Sequence, residues 1–405
     1  MNQGRHEARL GEAIRIRGRP VTARARGWAT SAGPRWRRAL PLVTALLVLA
    51  GCGGGEAPAV VPAAPADPVP KADATVPAYV GMAVCAECHA EATADWTGSH
   101  HHLAMARADD STVRGDFDAA VFRHGGIESR FFRRDGRFLV HTDGADGEMA
   151  EFELQWTFGW EPLQQYLIEF PDGRLQALGI AWDTRPPAAG GQRWFHVYGD
   201  EPIPATDELH WTMPAQNWNY MCADCHSTGY VKHYDPASDT FASTWSDINV
   251  ACEACHGPGS VHVARAGAGT LAGGHGFPLS FALPDRQRIL HEGATTLTMV
   301  GGGDNAAMQV EACGRCHARR APIAAEYRHG TPLLDSYLPA NLTDALYFPD
   351  GQILDEVFEY GSFRQSRMYA AGVVCIDCHQ PHSLKLHGDG DGVCVQCHLP
   401  AHYQT

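Results

Sequence analysis

The sequence predicts an α+β chain in which short helices and irregular segments gather around bound prosthetic groups, with an antiparallel β module inserted near its N-terminal end. Two observations carry this. Cys-x-x-Cys-His occurs six times, at Cys85, Cys222, Cys252, Cys313, Cys375 and Cys394, and the 137 residues between the first two starts are rich in strand-and-turn patterns. A third observation concerns length: roughly 59 residues of mature chain per motif are too few for six separately folded small domains.

The motifs pair Cys85/Cys88 with His89, Cys222/Cys225 with His226, Cys252/Cys255 with His256, Cys313/Cys316 with His317, Cys375/Cys378 with His379 and Cys394/Cys397 with His398. Each offers two thiols that can add across the vinyl groups of one haem, and an imidazole placed to become the proximal iron ligand. A half zinc site or a redox dithiol would leave the residue after the second cysteine free. Six histidines there by chance has a probability on the order of 10⁻⁸. Successive first cysteines are 137, 30, 61, 62 and 19 residues apart, and only the last gap resembles a zinc ribbon. The expectation is six covalently attached haems c and a multihaem cytochrome c fold.

Residues 1–51 hold ten arginines and two glutamates and end in an apolar run from Leu40 to Ala50, the pattern of a signal peptide. The run is too short for a membrane span, which takes roughly 20 residues. Leu49-Ala50-Gly51-Cys52 resembles the bacterial lipoprotein box, which makes Cys52 the expected lipid anchor; an ordinary secretion signal with a stray cysteine is the alternative. Residues 52–78, rich in Gly, Ala and Pro, read as a flexible tether. The full chain carries a formal charge of −14, and without residues 1–51 it carries −22. Such acidity disfavours nucleic acid and suits redox partners with basic docking patches, although it also serves plain solubility. Thioether attachment follows export, so the expected location is the bacterial cell envelope on the periplasmic side, on a lipid anchor of the outer membrane.

After the tether the sequence divides into a first haem segment (79–114), the inserted β module (115–205) and a haem-binding region with five motifs (206–405). Phe131 to Val140 reads as two strands around Asp135-Gly136, and Tyr166 to Leu178 repeats the pattern around Asp172-Gly173. The glycine-rich stretches at 301–304 and 388–392 lack the ligand patterns of phosphate and calcium loops and read as turns.

A haem in an electron carrier takes a second strong axial ligand, and 15 histidines outside the motifs and the signal region make bis-histidine iron the default. Trp96-Thr97-Gly98-Ser99-His100-His101-His102-Leu103-Ala104 resembles the Trp-x-x-Ser-x-His-x-x-Ala segment of multihaem cytochromes related to the tetrahaem electron acceptor of hydroxylamine oxidoreductase. That resemblance implies His101 as a distal ligand, with His100 and His102 competing. Cys252 to His262, running through Gly257-Pro258-Gly259, resembles the same family and implies His262 as ligand to another haem. Cys375-Ile376-Asp377-Cys378-His379-Gln380-Pro381-His382 resembles its paired-motif class and points to His382. His210, His387 and His196 are further distal candidates.

Stretches such as Pro162-Leu163-Gln164-Gln165-Tyr166, Gln216 to Cys222 and Gly314 to Arg320 resemble bacterial multihaem proteins fused to tetratricopeptide repeats, which are not present in this sequence. The functional expectation is a chain of closely packed haems carrying electrons between redox partners. The alternative is an oxidoreductase with one five-coordinate haem acting on a small nitrogen or sulfur species such as nitrite, hydroxylamine or tetrathionate. No Cys-x-x-Cys-Lys motif is present for a lysine-ligated haem.

Overall fold

The computed structural model describes residues 77–340 and 342–402. The signal segment, Cys52 and nearly all of the tether lie outside the described residues. Among those described, no helix is long and apolar enough to cross a membrane.

The dominant element is a nine-stranded antiparallel sheet: β1 (Met105–Arg107), β2 (Ala120–His124), β3 (Ile127–Arg134), β4 (Arg137–Asp143), β5 (Met149–Phe158), β6 (Leu163–Glu169), β7 (Leu175–Ala177), β8 (Ile180–Asp183) and β9 (Arg193–His196). Its path runs β2-β3-β4-β5-β6-β8-β9, with β1 beside β5 and β7 beside β6. The β3–β4 hairpin turns at Asp135-Gly136, both at positive φ (51° and 76°), as the commonest two-residue hairpin turn requires. The sheet begins at Met105 rather than at 115, because β5 outlasts its pairing with β4: Met149 to Glu153 pair with β4, and Trp156 to Phe158 pair with β1.

Alternation along β6 fixes two faces. Tyr166 and Ile168 join Phe117, Phe131, Phe138, Val140, Leu154, Leu178, Ile180, Trp182, Trp194 and Trp211 on one side. There Trp194 stacks on Phe131 at 3.7 Å, and Phe117 meets Phe131, Phe138, Tyr166 and Trp194 edge-on, the geometry the ring quadrupole favours. Leu167 faces the other side with Met105, Trp156, Leu175, Ala177, Trp218 and Ala223. A strand covered on both faces reads as a nearly continuous buried run, which is what Gln164 to Ile168 shows.

The second face seats the two short helices that follow the sheet, Trp218–Met221 and Ala223–His226. Asn219 Oδ1 accepts from Leu175 N (2.7 Å), Gln176 Nε2 donates to the carbonyls of Trp211 and Met213 (3.0 Å each), and Asn217 Nδ2 donates to Gln176 Oε1 (3.0 Å). These amides fasten Cys222 to the sheet through a buried, satisfied seam. At the neighbouring turn Gly173 (φ 79°) approaches so closely that an added Cβ would lie 1.9 Å from the Phe241 carbonyl oxygen.

The rest of the described residues form short helices, 3₁₀ turns, three two-stranded ribbons and the segments that join them. The helices in chain order are α1 (Met82–Ala86), α2 (Ala90–Trp96), α3 (Trp218–Met221), α4 (Ala223–His226), α5 (Cys252–His256), α6 (Ser260–Gly267), α7 (Gly303–His317), α8 (Phe358–Arg364) and α9 (Arg367–Ala370). Among the described residues both apolar clusters belong to the sheet and its seam; beyond them buried apolar side chains such as Leu279, Met299, Val310 and Leu333 are dispersed.

Candidate haem-binding sites

Each motif is one turn of helix. His89 N bonds to Cys85 O (3.0 Å), His226 N to Cys222 O (3.1 Å), His379 N to Cys375 O (3.0 Å) and His398 N to Cys394 O (2.9 Å). The third motif forms α5 and the fourth closes α7. Spacings of three and four residues bring both thiols and the imidazole to one helical face, the arrangement that one covalently attached haem needs. All twelve motif cysteines are free of disulfides.

Thiols of different motifs come close enough to perturb one another: Cys85 and Cys252, Cys225 and Cys316, and Cys313 and Cys375. The neighbouring Cys316 thiol and then burial push the Cys225 thiol up, while burial and then the neighbouring Cys225 push Cys222 up to about 12.

The other six attachment points, Cys88, Cys222, Cys255, Cys378, Cys394 and Cys397, lie outside these three pairs. Cys88 is exposed, with its N–H bonded to Cys85 O (3.2 Å). The reason is that α1 has no buried residue, so the turn after it lies open to solvent. Cys397 is half-buried and held through its backbone, its N–H bonded to Cys394 O (3.1 Å) and its carbonyl accepting from Leu297 N (2.9 Å). For Cys88 the fit to haem therefore rests on the spacing within its own turn, whereas Cys397 lies close enough to the fifth motif to help push the Cys378 thiol up.

Motif imidazoles also lie opposite imidazoles from outside the motifs. His89 and His262 have ring centroids 6.0 Å apart, His101 and His317 6.3 Å, and His256 and His382 6.4 Å. Two axial imidazoles bonded to one iron at about 2 Å each leave their centroids about 6 Å apart. Every pair joins a motif histidine to a histidine outside the motifs. His262 Nδ1 lies 2.7 Å from the His275 carbonyl, the bond that leaves Nε2 as the ligating nitrogen. Burial holds His101 and His256 down at about 4, so both imidazoles are neutral with a lone pair available at neutral pH. Thiols, proximal imidazoles and facing imidazoles together are the donor set of haem c, and these residues fit that group.

His101 is placed by its neighbours. Trp96 Nε1 donates to Val250 O (2.9 Å), Val250 N to His101 O (3.2 Å) and Asn249 Nδ2 to His102 O (2.8 Å), which pins this segment ahead of the third motif. His102 packs on Trp96 at 4.5 Å and accepts from Gly98 N, and His100 is exposed. His226 meets Phe158 edge-on at 4.6 Å, where the sheet touches the second motif.

Three expected distal candidates stand elsewhere. His210 is buried in the sheet, with Nε2 3.2 Å from Asp143 Oδ2 and Nδ1 2.8 Å from Thr212 Oγ1, so both nitrogens have protein partners. His196, on β9, stacks on His124 at 3.9 Å with the rings 3° from parallel. His387 directs Nε2 at the Ile376 carbonyl, 3.0 Å away, within the fifth motif's own loop.

Burial, then the His124 ring, holds His196 down at about 4. A histidine kept neutral in the fold stabilises it above the ordinary histidine range, and that contribution is lost as pH falls from about 6.5 toward 4. Urea midpoints followed by circular dichroism are expected to fall across this window. His196→Phe should keep the stack and flatten the slope, and an equal slope in the variant would refute the assignment.

The spacing argument left the residues between the paired cysteines free, yet several tie distant segments together. Glu253, 1% exposed, accepts from Val80 N (2.9 and 3.1 Å), Gly81 N (2.8 Å) and Gly259 N (2.7 Å), joining the approach to α1 to α5 and α6. Asp377 pairs with Arg286 and accepts from Val374 N (2.8 Å). Asp224 binds Arg315, Arg320 and Tyr337. Burial opposes its ionisation, but the two guanidiniums override it and hold the carboxyl at about 2. The signal available in the sequence was the presence of charge at these positions.

Residues 84–120 and 204–257 match the family described as cytochrome c554 and c-prime. That match, together with the six motif turns, supports a multihaem c-type cytochrome. The matched segments carry the first three motifs and His101 and bracket most of the sheet. No curated protein matches this cytochrome. Two solved structures resemble it: the outer cell wall cytochrome OcwA, at 16% identity over 77% of this chain and 58% of that one with a TM-score of 0.43, and the undecahaem cytochrome from the S-layer of Carboxydothermus ferrireducens, at 15% identity over 79% and 43% with a TM-score of 0.39. The cytochrome therefore spans less than two thirds of either chain's length.

Proposed function

We propose that this cytochrome is an exported electron carrier with six haems c. In this reading His89 and His262 ligate the haem on Cys85/Cys88, His256 and His382 that on Cys252/Cys255, and His317 and His101 that on Cys313/Cys316. The observation that carries the reading is the three imidazole pairs at 6.0–6.4 Å, each spanning distant parts of the chain. Bound haem supplies a one-electron iron couple, and two imidazoles keep it low-spin with little geometry to reorganise. The meeting thiols bring neighbouring attachment points together, which suits transfer from haem to haem. Cys52 anchors the chain to the envelope, and its acidic surface docks redox partners through their basic patches.

Purified protein, matured in a host that attaches haem, should exceed its polypeptide-plus-lipid mass by six haems and show a Soret band. Its oxidised paramagnetic resonance spectrum should be low-spin throughout. A mass without haem defeats the reading. An axial high-spin signal altered by nitrite, hydroxylamine or tetrathionate would make one haem a catalytic site instead.

A further inference from the structure

Where the second and fourth motifs touch, two arginines are buried around one carboxylate. Arg315 and Arg320 have side chains only 6% and 8% exposed. Arg315 Nη2 donates to Asp224 Oδ1 (3.1 Å) and Nη1 to Ala254 O (3.2 Å), so one guanidinium ties together the second, third and fourth motifs. Arg320 Nη2 donates to Asp224 Oδ2 (2.7 Å) and to Cys225 Sγ (3.3 Å), a sulfur that attaches haem in the reading above. Tyr337 donates to Asp224 Oδ2 (2.7 Å) and lies under Arg320 at 3.5 Å, while Tyr327 lies under Arg315 at 4.7 Å. Guanidinium stays charged throughout the physiological range. Two cations and one anion leave a net positive charge beside the Cys225–Cys316 contact.

Resting on the proposed electron-carrier reading, we propose that Arg315 and Arg320 raise the reduction potential of the two haems attached at Cys222/Cys225 and Cys313/Cys316, so that electrons passed along the chain collect at this pair. Each reduction takes one electron from a neighbouring haem and turns Fe(III) into Fe(II), with no other bond made or broken. The site loses one positive charge in the process, so a fixed cation nearby favours the reduced state, most strongly where water is excluded.

The test is a potentiometric titration of the full haem-loaded chain, followed in the Soret band and by paramagnetic resonance. Arg320→Gln should shift the reduction equilibrium of at least one haem about tenfold toward the oxidised form, which is about 59 mV for one electron. Asp224→Asn should shift it toward the reduced form, and Arg320→Lys should stay near the parent. Opposite signs for the arginine and aspartate variants support the inference. A purely structural role would loosen the junction in both and move both the same way, so equal signs or unmoved potentials overturn it. If Arg320→Gln does not mature, Asp224→Asn decides alone: a rise supports, and a fall or no change refutes. Haem content of the parent reports separately on the carrier reading.

Discussion

His262→Ala is expected to turn the haem on Cys85/Cys88 from low-spin to high-spin while the others stay as they are. The ring of His262 stands 6.0 Å from that of His89 at an interplanar angle of 30°, and its other nitrogen is held at the His275 carbonyl. Alanine removes the imidazole and leaves space at the iron, so one low-spin signal should be lost and one axial high-spin signal gained. Added imidazole should restore the low-spin form, which a misfolded variant would not allow. His101→Ala should act in the same way on the haem of the fourth motif. His102→Ala should change no spin state, because that ring is committed to Trp96 and Gly98. A spectrum of His262→Ala identical to the parent's would break the pairing of His262 with the haem of the first motif.

Glu253→Ala is expected to cost about 3–5 kcal/mol of stability, read as a lowered denaturation midpoint. The carboxylate is fully enclosed and accepts from three backbone N–H groups of two segments far apart in sequence. Alanine leaves those donors buried without an acceptor, and each such group carries a desolvation penalty. Glu253→Gln keeps one carbonyl oxygen but sets an NH₂ group against donors, so its loss should be intermediate. Because the same carboxylate holds the approach to α1 against α5, the Cys85–Cys252 contact should loosen as well, with a lower haem yield at the first motif. A midpoint within about 0.5 kcal/mol of the parent, the size of an ordinary surface change, would show that the tie contributes little.

Local features were legible because they depend on near neighbours. The six Cys-x-x-Cys-His motifs coil into single turns since thiols three apart and an imidazole four along must share a face. Asp135-Gly136 makes the β3–β4 turn, since both residues tolerate positive φ. The resemblance around Gln216 to Cys222 marked a region of consequence without its reason, which is the amide seam that holds the second motif to the sheet. Equal motifs also hid unequal surroundings: Cys225 is braced by a thiol and a guanidinium from elsewhere in the chain, while Cys88 faces solvent and Cys397 is held by backbone bonds.

What the sequence by itself determined was the donor chemistry: which thiols and imidazoles exist, and that each set of three falls on one turn. Only the tertiary structure decided which imidazoles face each other, because that depends on contacts across long stretches of chain. It put His101 opposite His317 and His262 opposite His89, and drew His210 and His196 into the sheet. It also decided that Glu253, Asp224 and Arg315, which a spacing rule treats as interchangeable, turn inward as ties. A charge is buried only where the fold supplies its partner, and no local pattern states where that partner will be.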